Sequence, residues 1–151
     1  MEKNMDNQAI NEIAQTLEDY RDNVNFKKQF KWLMELMNDV AHVKGWYSPP
    51  KSFGEQVVMM HSELSEVIEA YRAQDHDDIT KIGHSHPVEF TENGEIVSAT
   101  PKPEGVAIEF ADLVIRVFDT CAEYKIPLLE AILQKTAYNI TRKFRHGNKA
   151  L

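Results

Sequence analysis

From Val106 to Phe118 the sequence reads as a helix that is apolar almost all round and yet carries charge along one flank. Val106, Ile108, Phe110, Leu113, Val114, Ile115, Val117 and Phe118 cover most of its circumference, which predicts burial among other helices. Glu109, Asp112 and Arg116 share the remaining flank. A buried carboxylate with no partner is costly enough that it either protonates or recruits a cation. Two together need cations: Arg116 neutralises one charge, and a divalent metal is the natural source of the rest.

The rest of the chain follows the same helical period. Ile10, Ile13, Ala14, Leu17 and Tyr20 predict an amphipathic helix over 6–21, inside an N-terminal helical extension covering 1–25. The main domain then spans 26–151. Phe26, Phe30, Leu33, Met34, Met37, Val40 and Ala41 form one stripe over 25–44, which Gly45 ends and Ser48-Pro49-Pro50 follows as a rigid connector. Ser52 with Glu55 three residues later is a capping-box signature. Behind it Phe53, Val57, Met60, Leu64, Val67 and Tyr71 make a coiled-coil-like seam reaching about Ala73. Residues 74–104 break the pattern, and 88–97 reads as a β-hairpin turning on Asn93-Gly94, an insertion at about 86–101. A helix from Pro103 or Glu104 to Tyr124 follows, and Pro127 opens a last one reaching about His146. The expected fold is all-α, a bundle of four to five helices with one small hairpin insertion.

The 53–73 helix carries a second acidic pair. At about 100° per residue, Glu63 lies ~60° and Glu66 ~120° to one side of the seam, while Glu69 points nearly opposite it. Two i,i+3 pairs on facing helices supply an all-oxygen cage, which suits Mg²⁺ or Mn²⁺ rather than zinc. The plainer alternative is a salt-bridged interior beside a solvated flank. A di-iron bundle requires Glu-x-x-His pairs, and none of the six histidines stands three residues after a Glu. A transition-metal site on His84, His86, Asp75, Asp77 and Asp78 rests only on a loop His-x-His.

A net charge of −7 argues against a nucleic-acid polymer as partner, though not against a nucleotide held through divalent cations. No apolar run approaches the roughly 20 residues that span a bilayer, and 1–25 lacks the layout of a secretory signal. The single cysteine, Cys121, falls in an apolar segment and reads as core, consistent with a reducing cytoplasm. Basic residues concentrate from Lys135 to Lys149. Lys135, Asn139, Arg142 and His146 step by four, three and four along one face, the combination of point charge, amide and guanidinium fork that a polyphosphate needs. The same residues would also complement a helix C-terminus, which accounts for His146 better than for Lys135.

Three blocks in this order resemble the MazG-like all-α nucleoside triphosphate pyrophosphohydrolases. They are His61-Ser62-Glu63-Leu64-Ser65-Glu66, Lys102-Pro103-Glu104-Gly105-Val106-Ala107-Ile108-Glu109-Phe110-Ala111-Asp112, and Lys135-Thr136-Ala137-Tyr138-Asn139-Ile140-Thr141-Arg142 with Phe144-Arg145-His146-Gly147. The likeness covers about 26–149. The gap between the acidic helices is longer than in compact members and matches a subgroup, often phage or bacterial, with an insertion there. The resemblance implies Mg²⁺, replaceable by Mn²⁺, on Glu63, Glu66, Glu109 and Asp112. It implies a (deoxy)nucleoside triphosphate cleaved to the monophosphate and pyrophosphate, with Glu63 or Glu66 orienting or deprotonating the attacking water. Lys135, Asn139 and Arg142 would contact phosphates, joined by Tyr138 and Arg145, while Trp46 and Lys51 would stand near the base or phosphates. It also implies a homodimer or homotetramer in the cytoplasm, without a membrane. The competing expectation is a non-catalytic helical interaction module.

Overall fold

The structure, a computed structural model, describes residues 2–73, 79–85 and 101–142. Five helices and one short antiparallel ladder follow in the order α1 (Glu2–Asp22), α2 (Val24–Val43), α3 (Phe53–Ala73), β1 (Gly83–His84), β2 (Pro103–Glu104), α4 (Val106–Glu123) and α5 (Leu128–Ile140). The expected hairpin over 88–97, and with it Asp75, Asp77, Asp78, His86, Arg145 and His146, lies outside the described residues. The strand pair closes the excursion at its base, with Gly83 opposite Glu104 and His84 opposite Pro103.

Local chemistry sets the helix ends. Asn23 caps α2 by accepting the Phe26 N–H at 2.9 Å. At the other end Gly45, at φ 74°, takes the left-handed conformation; its N–H reaches His42 O at 3.0 Å and the Trp46 N–H reaches Ala41 O at 3.0 Å. This Schellman closure turns the chain sharply and carries Trp46 and Tyr47 back towards the bundle. The capping box is present: Glu55 Oε2 accepts from the Ser52 N–H at 2.6 Å and from its hydroxyl at 2.7 Å. Gly105, at φ 117°, makes the bend into α4. Pro103 and Glu104 therefore belong to the ladder, and α4 begins at Val106 rather than at Pro103 or Glu104. α4 closes as α2 does, with Lys125 at φ 54° and the Ile126 N–H on Cys121 O at 2.8 Å. α5 ends at Ile140 with Thr141 as its cap, short of the expected His146.

α4 is the middle of the bundle. α2 and α3 pack on it from two sides, while α1 packs on α5 and α2. Among the described residues the buried apolar ones are few: Met34, Ala41, Val67, Val106, Cys121 and Leu129. Phe30 meets Phe118 at 5.1 Å between ring centroids, joining α2 to α4. Cys121 is buried, as its apolar surroundings predict, and burial raises its thiol pKa. Two expectations are corrected. α4 is not enclosed all round, because two neighbours cover only part of it and leave Phe110 48% and Val114 46% exposed. The α3 face against α4 is Gln56, Glu63 and Val67 rather than the Met60–Leu64–Val67 line, and Leu64 stands 47% exposed. Among the described residues, no helix is long and apolar enough to cross a membrane.

Candidate metal centre

Because α3 turns its Gln56–Glu63–Val67 stripe inward, Glu63 meets the first turns of α4 directly. One carboxylate oxygen from each of Glu63, Glu66 and Glu109 lies within 4.8 Å of the others. Glu63 is 6% and Glu109 8% exposed; Glu66 is the most open of the three. Oε2 of Glu109 is buried with no hydrogen-bond partner among the described residues. A buried anionic oxygen left unpaired is a large desolvation cost unless something positive sits against it. The donor set is all oxygen, converging and partly dehydrated, so the three carboxylates fit a hard divalent cation and can hold a metal ion.

Charge is only partly balanced by the protein itself. Arg116 donates from Nε to Oε1 of Glu63, bridging α4 to α3, and its Nη1 lies 3.8 Å from Met59 Sδ. The sequence reading expected Arg116 to serve its own helix flank; its guanidinium instead engages the acid opposite. Asp112 stands beside the cluster, outside the group of three, and its carboxyl pKa is raised first by burial and then by Glu63, against Lys102 and Arg116. The Glu109 carboxyl is also raised, by burial and by Glu66, with Lys102 opposing and Asp112 and Glu63 adding to it.

Lys102 is the cation that sequence reading missed. Its carbonyl accepts the Ser85 N–H at 2.9 Å and its N–H is taken by Ser85 Oγ at 3.0 Å, so the ladder fixes where it stands. With His84, Glu66 and Glu109 it lines an open cavity of ~470 Å³ beside the carboxylates. A loop lysine has no periodicity to reveal it, and its one signal was the Lys102-Pro103-Glu104-Gly105 lead-in.

On the other side of Arg116, Trp46 and Lys51 line a smaller cavity of ~140 Å³ with Gln56, Met59 and Asp119. Lys51 is tied through Nζ to the Trp46 carbonyl. Asp119 is 4% exposed and continues the Glu109–Asp112–Arg116 flank by three residues. Asn38 Nδ2 donates to its Oδ1 at 2.9 Å and the Tyr47 hydroxyl to the same oxygen at 3.0 Å. Burial, then the Asp119 carboxylate, raises the Tyr47 pKa and keeps it a donor.

The α5 candidates are placed elsewhere. α5 packs chiefly on α1; Lys135, Tyr138 and Asn139 are exposed on it, Arg142 is exposed just beyond its end, and all four line neither cavity beside the carboxylates. Tyr138 sits between two cations, with Lys135 Nζ 5.1 Å and Arg142 Cζ 5.9 Å from its ring centroid. A larger cavity, ~550 Å³, walled by Phe30, Met34, Cys121 and Leu129, shares no residue with the carboxylate cluster.

The chain matches no family model, no curated protein and no solved structure.

Proposed function

We propose that the chain is a Mg²⁺-dependent nucleotide pyrophosphohydrolase of the MazG-like kind, cleaving a (deoxy)nucleoside triphosphate to the monophosphate and pyrophosphate. The observation that carries this reading is the convergence of Glu63, Glu66 and Glu109 around a buried, unpartnered Glu109 oxygen. These three, with Asp112 alongside, would hold Mg²⁺ or Mn²⁺. A divalent cation there supplies neutralisation of phosphate charge and acidification of water. Glu66, the most open of the acids, is the best placed to orient the attacking water or take its proton. Arg116 holds Glu63 in place, and Lys102 offers a cation to a phosphate oxygen from the wider cavity. Lys135, Asn139 and Arg142 serve the same substrate only if a second copy brings its α5 to the cluster, and the exposed apolar faces of α3 and α4 favour a homodimer or homotetramer.

The test is pyrophosphate release from a panel of deoxynucleoside triphosphates with and without Mg²⁺. Release should depend on the cation and fall by at least ~10²-fold in Glu109→Gln and Glu63→Ala. Activity that survives both substitutions would remove the site. The alternative, a non-catalytic helical interaction module, draws on the exposed apolar faces alone and gives the unpartnered Glu109 oxygen no role.

A further inference from the structure

Resting on the pyrophosphohydrolase reading, we infer that the ~140 Å³ cavity between Trp46 and Asp119 receives the base, and that its size and its buried acceptor select cytosine. Size comes first. A cavity of about 150 Å³ is what a single six-membered ring occupies, as the binding of benzene in an engineered cavity of that volume illustrates. A pyrimidine fits that space, and the second ring of a purine does not. Trp46 supplies an aromatic surface at the cavity, and Arg116 joins it to Glu63, so a base there lies next to the acids that would hold the phosphates' cation.

Chemistry then separates the pyrimidines. Asp119 is the buried charge at the cavity, and both of its donors, Asn38 and Tyr47, converge on Oδ1. Both of these bonds use Oδ1 rather than Oδ2, and Asp119 lines the cavity. The carboxylate is held from behind: Tyr47 stacks on His42 at 4.5 Å and 15°, His42 Nε2 lies 2.8 Å from Glu123 Oε2, and Asn38 Nδ2 reaches the same Glu123 oxygen at 3.1 Å. A fixed carboxylate oxygen accepts well from the exocyclic amino group of cytosine. It repels the O4 carbonyl that uracil and thymine carry at that position. Gln56, 4% exposed and lining the same cavity, has an amide with which to donate to cytosine N3 or O2.

The experiment compares the full chain with Mg²⁺ on dCTP, dUTP, dTTP, dATP and dGTP, and in parallel measures binding of dCMP and dUMP by calorimetry. The expected result is a kcat/KM for dCTP roughly tenfold or more above that for dUTP, with the purine nucleotides weaker still. dCMP should bind correspondingly more tightly than dUMP. Asp119→Asn, whose amide can donate to O4, should narrow or invert the cytosine-to-uracil ratio while cation binding at the carboxylates is kept. Equal or better use of a purine, a dCMP affinity no higher than that of dUMP, or an unchanged ratio in Asp119→Asn overturns the inference. Absence of hydrolysis of every triphosphate instead counts against the pyrophosphohydrolase reading; the monophosphate binding still reads the cavity, and does so on the unmodified chain should Asp119→Asn fail to fold.

Discussion

Arg116 and Glu63 form an ion pair across the α3–α4 interface, with the guanidinium 25% and the carboxylate 8% exposed. The pair belongs to the interior of the bundle, where removing one partner strands the other. Arg116→Ala should therefore cost ~3–5 kcal/mol of stability without divalent cation, because three carboxylates would then converge with no guanidinium beside them. Arg116→Lys keeps the charge but not the planar fork, and should cost less. Mg²⁺ should restore part of the loss in both, since it supplies positive charge to the same oxygens. Denaturant unfolding with and without Mg²⁺ measures this. An Arg116→Ala protein as stable as the parent in chelator would show that the pair offsets nothing.

The raised pKa values of Glu109 and Asp112 make stability depend on pH in a definite direction. Both carboxyls hold their protons to higher pH in the folded chain than in the unfolded one. Between the ordinary and the raised values the folded state binds more protons, so stability falls as pH rises through that window. Without divalent cation the melting temperature should thus decline as pH rises above the ordinary carboxylate range, and Glu109→Gln should flatten the decline. The gain from Mg²⁺ should grow over the same range, as the cation needs the carboxylates ionised. At a hundredfold excess over Kd the gain is ~2.7 kcal/mol, several degrees for a chain of this size. A Mg²⁺ effect equal at both ends of the range would contradict the assignment.

What the sequence disclosed and what it hid divide along the range of the interactions. Ser52 with Glu55, and Gly45 at the end of α2, were readable because each cap is settled within a few residues. The acids were readable because helical spacing alone places Glu63 with Glu66 and Glu109 with Asp112. Which way α3 faces was not: Leu64 looked central to the seam and is exposed, because the inward line is set by the pairing of Glu63 with Arg116, 53 residues away. Asp119 was hidden for the same reason, its donors Asn38 and Tyr47 lying 81 and 72 residues distant. The start of α4 was misplaced because the bend at Gly105 is a backbone conformation that neighbouring side chains do not announce.

Lys102 should separate cation binding from substrate binding. It is the largest opposing influence on the raised pKa of both Glu109 and Asp112, so it works against a metal at the cluster. It also faces the wide cavity, where it would meet a phosphate. Lys102→Met should bind Mg²⁺ more tightly at neutral pH, while the KM for the triphosphate rises roughly tenfold, the size of one lost charge-assisted hydrogen bond. Calorimetry with Mg²⁺ alone and steady-state kinetics give the two readouts independently. Both moving in the same direction would mean that Lys102 is only part of the ladder.

The exposed apolar surface predicts self-association in a way that can be taken apart. Leu64, Ile68 and Tyr71 on α3 and Phe110 and Val114 on α4 are each about half exposed, on two helices packed against one another. Leu33, Leu36, Val40 and Val43 repeat at three, four and three along α2 and are likewise open. A lone soluble chain rarely leaves such stripes in water, and the spacing is that of helix-on-helix packing. The chain should therefore run as a dimer or tetramer in light scattering. Leu64→Lys with Val114→Glu should dissociate the assembly through the α3–α4 face, and Leu36→Lys with Val43→Glu through the α2 face, with helicity by circular dichroism unchanged. A tetramer should fall to a dimer in each pair alone and to a monomer in the combination, whereas a dimer should respond to one pair only. An unmodified chain that stays at the mass of one chain up to high concentration would sink the prediction, and with it the route by which α5 of a second copy could reach the carboxylates.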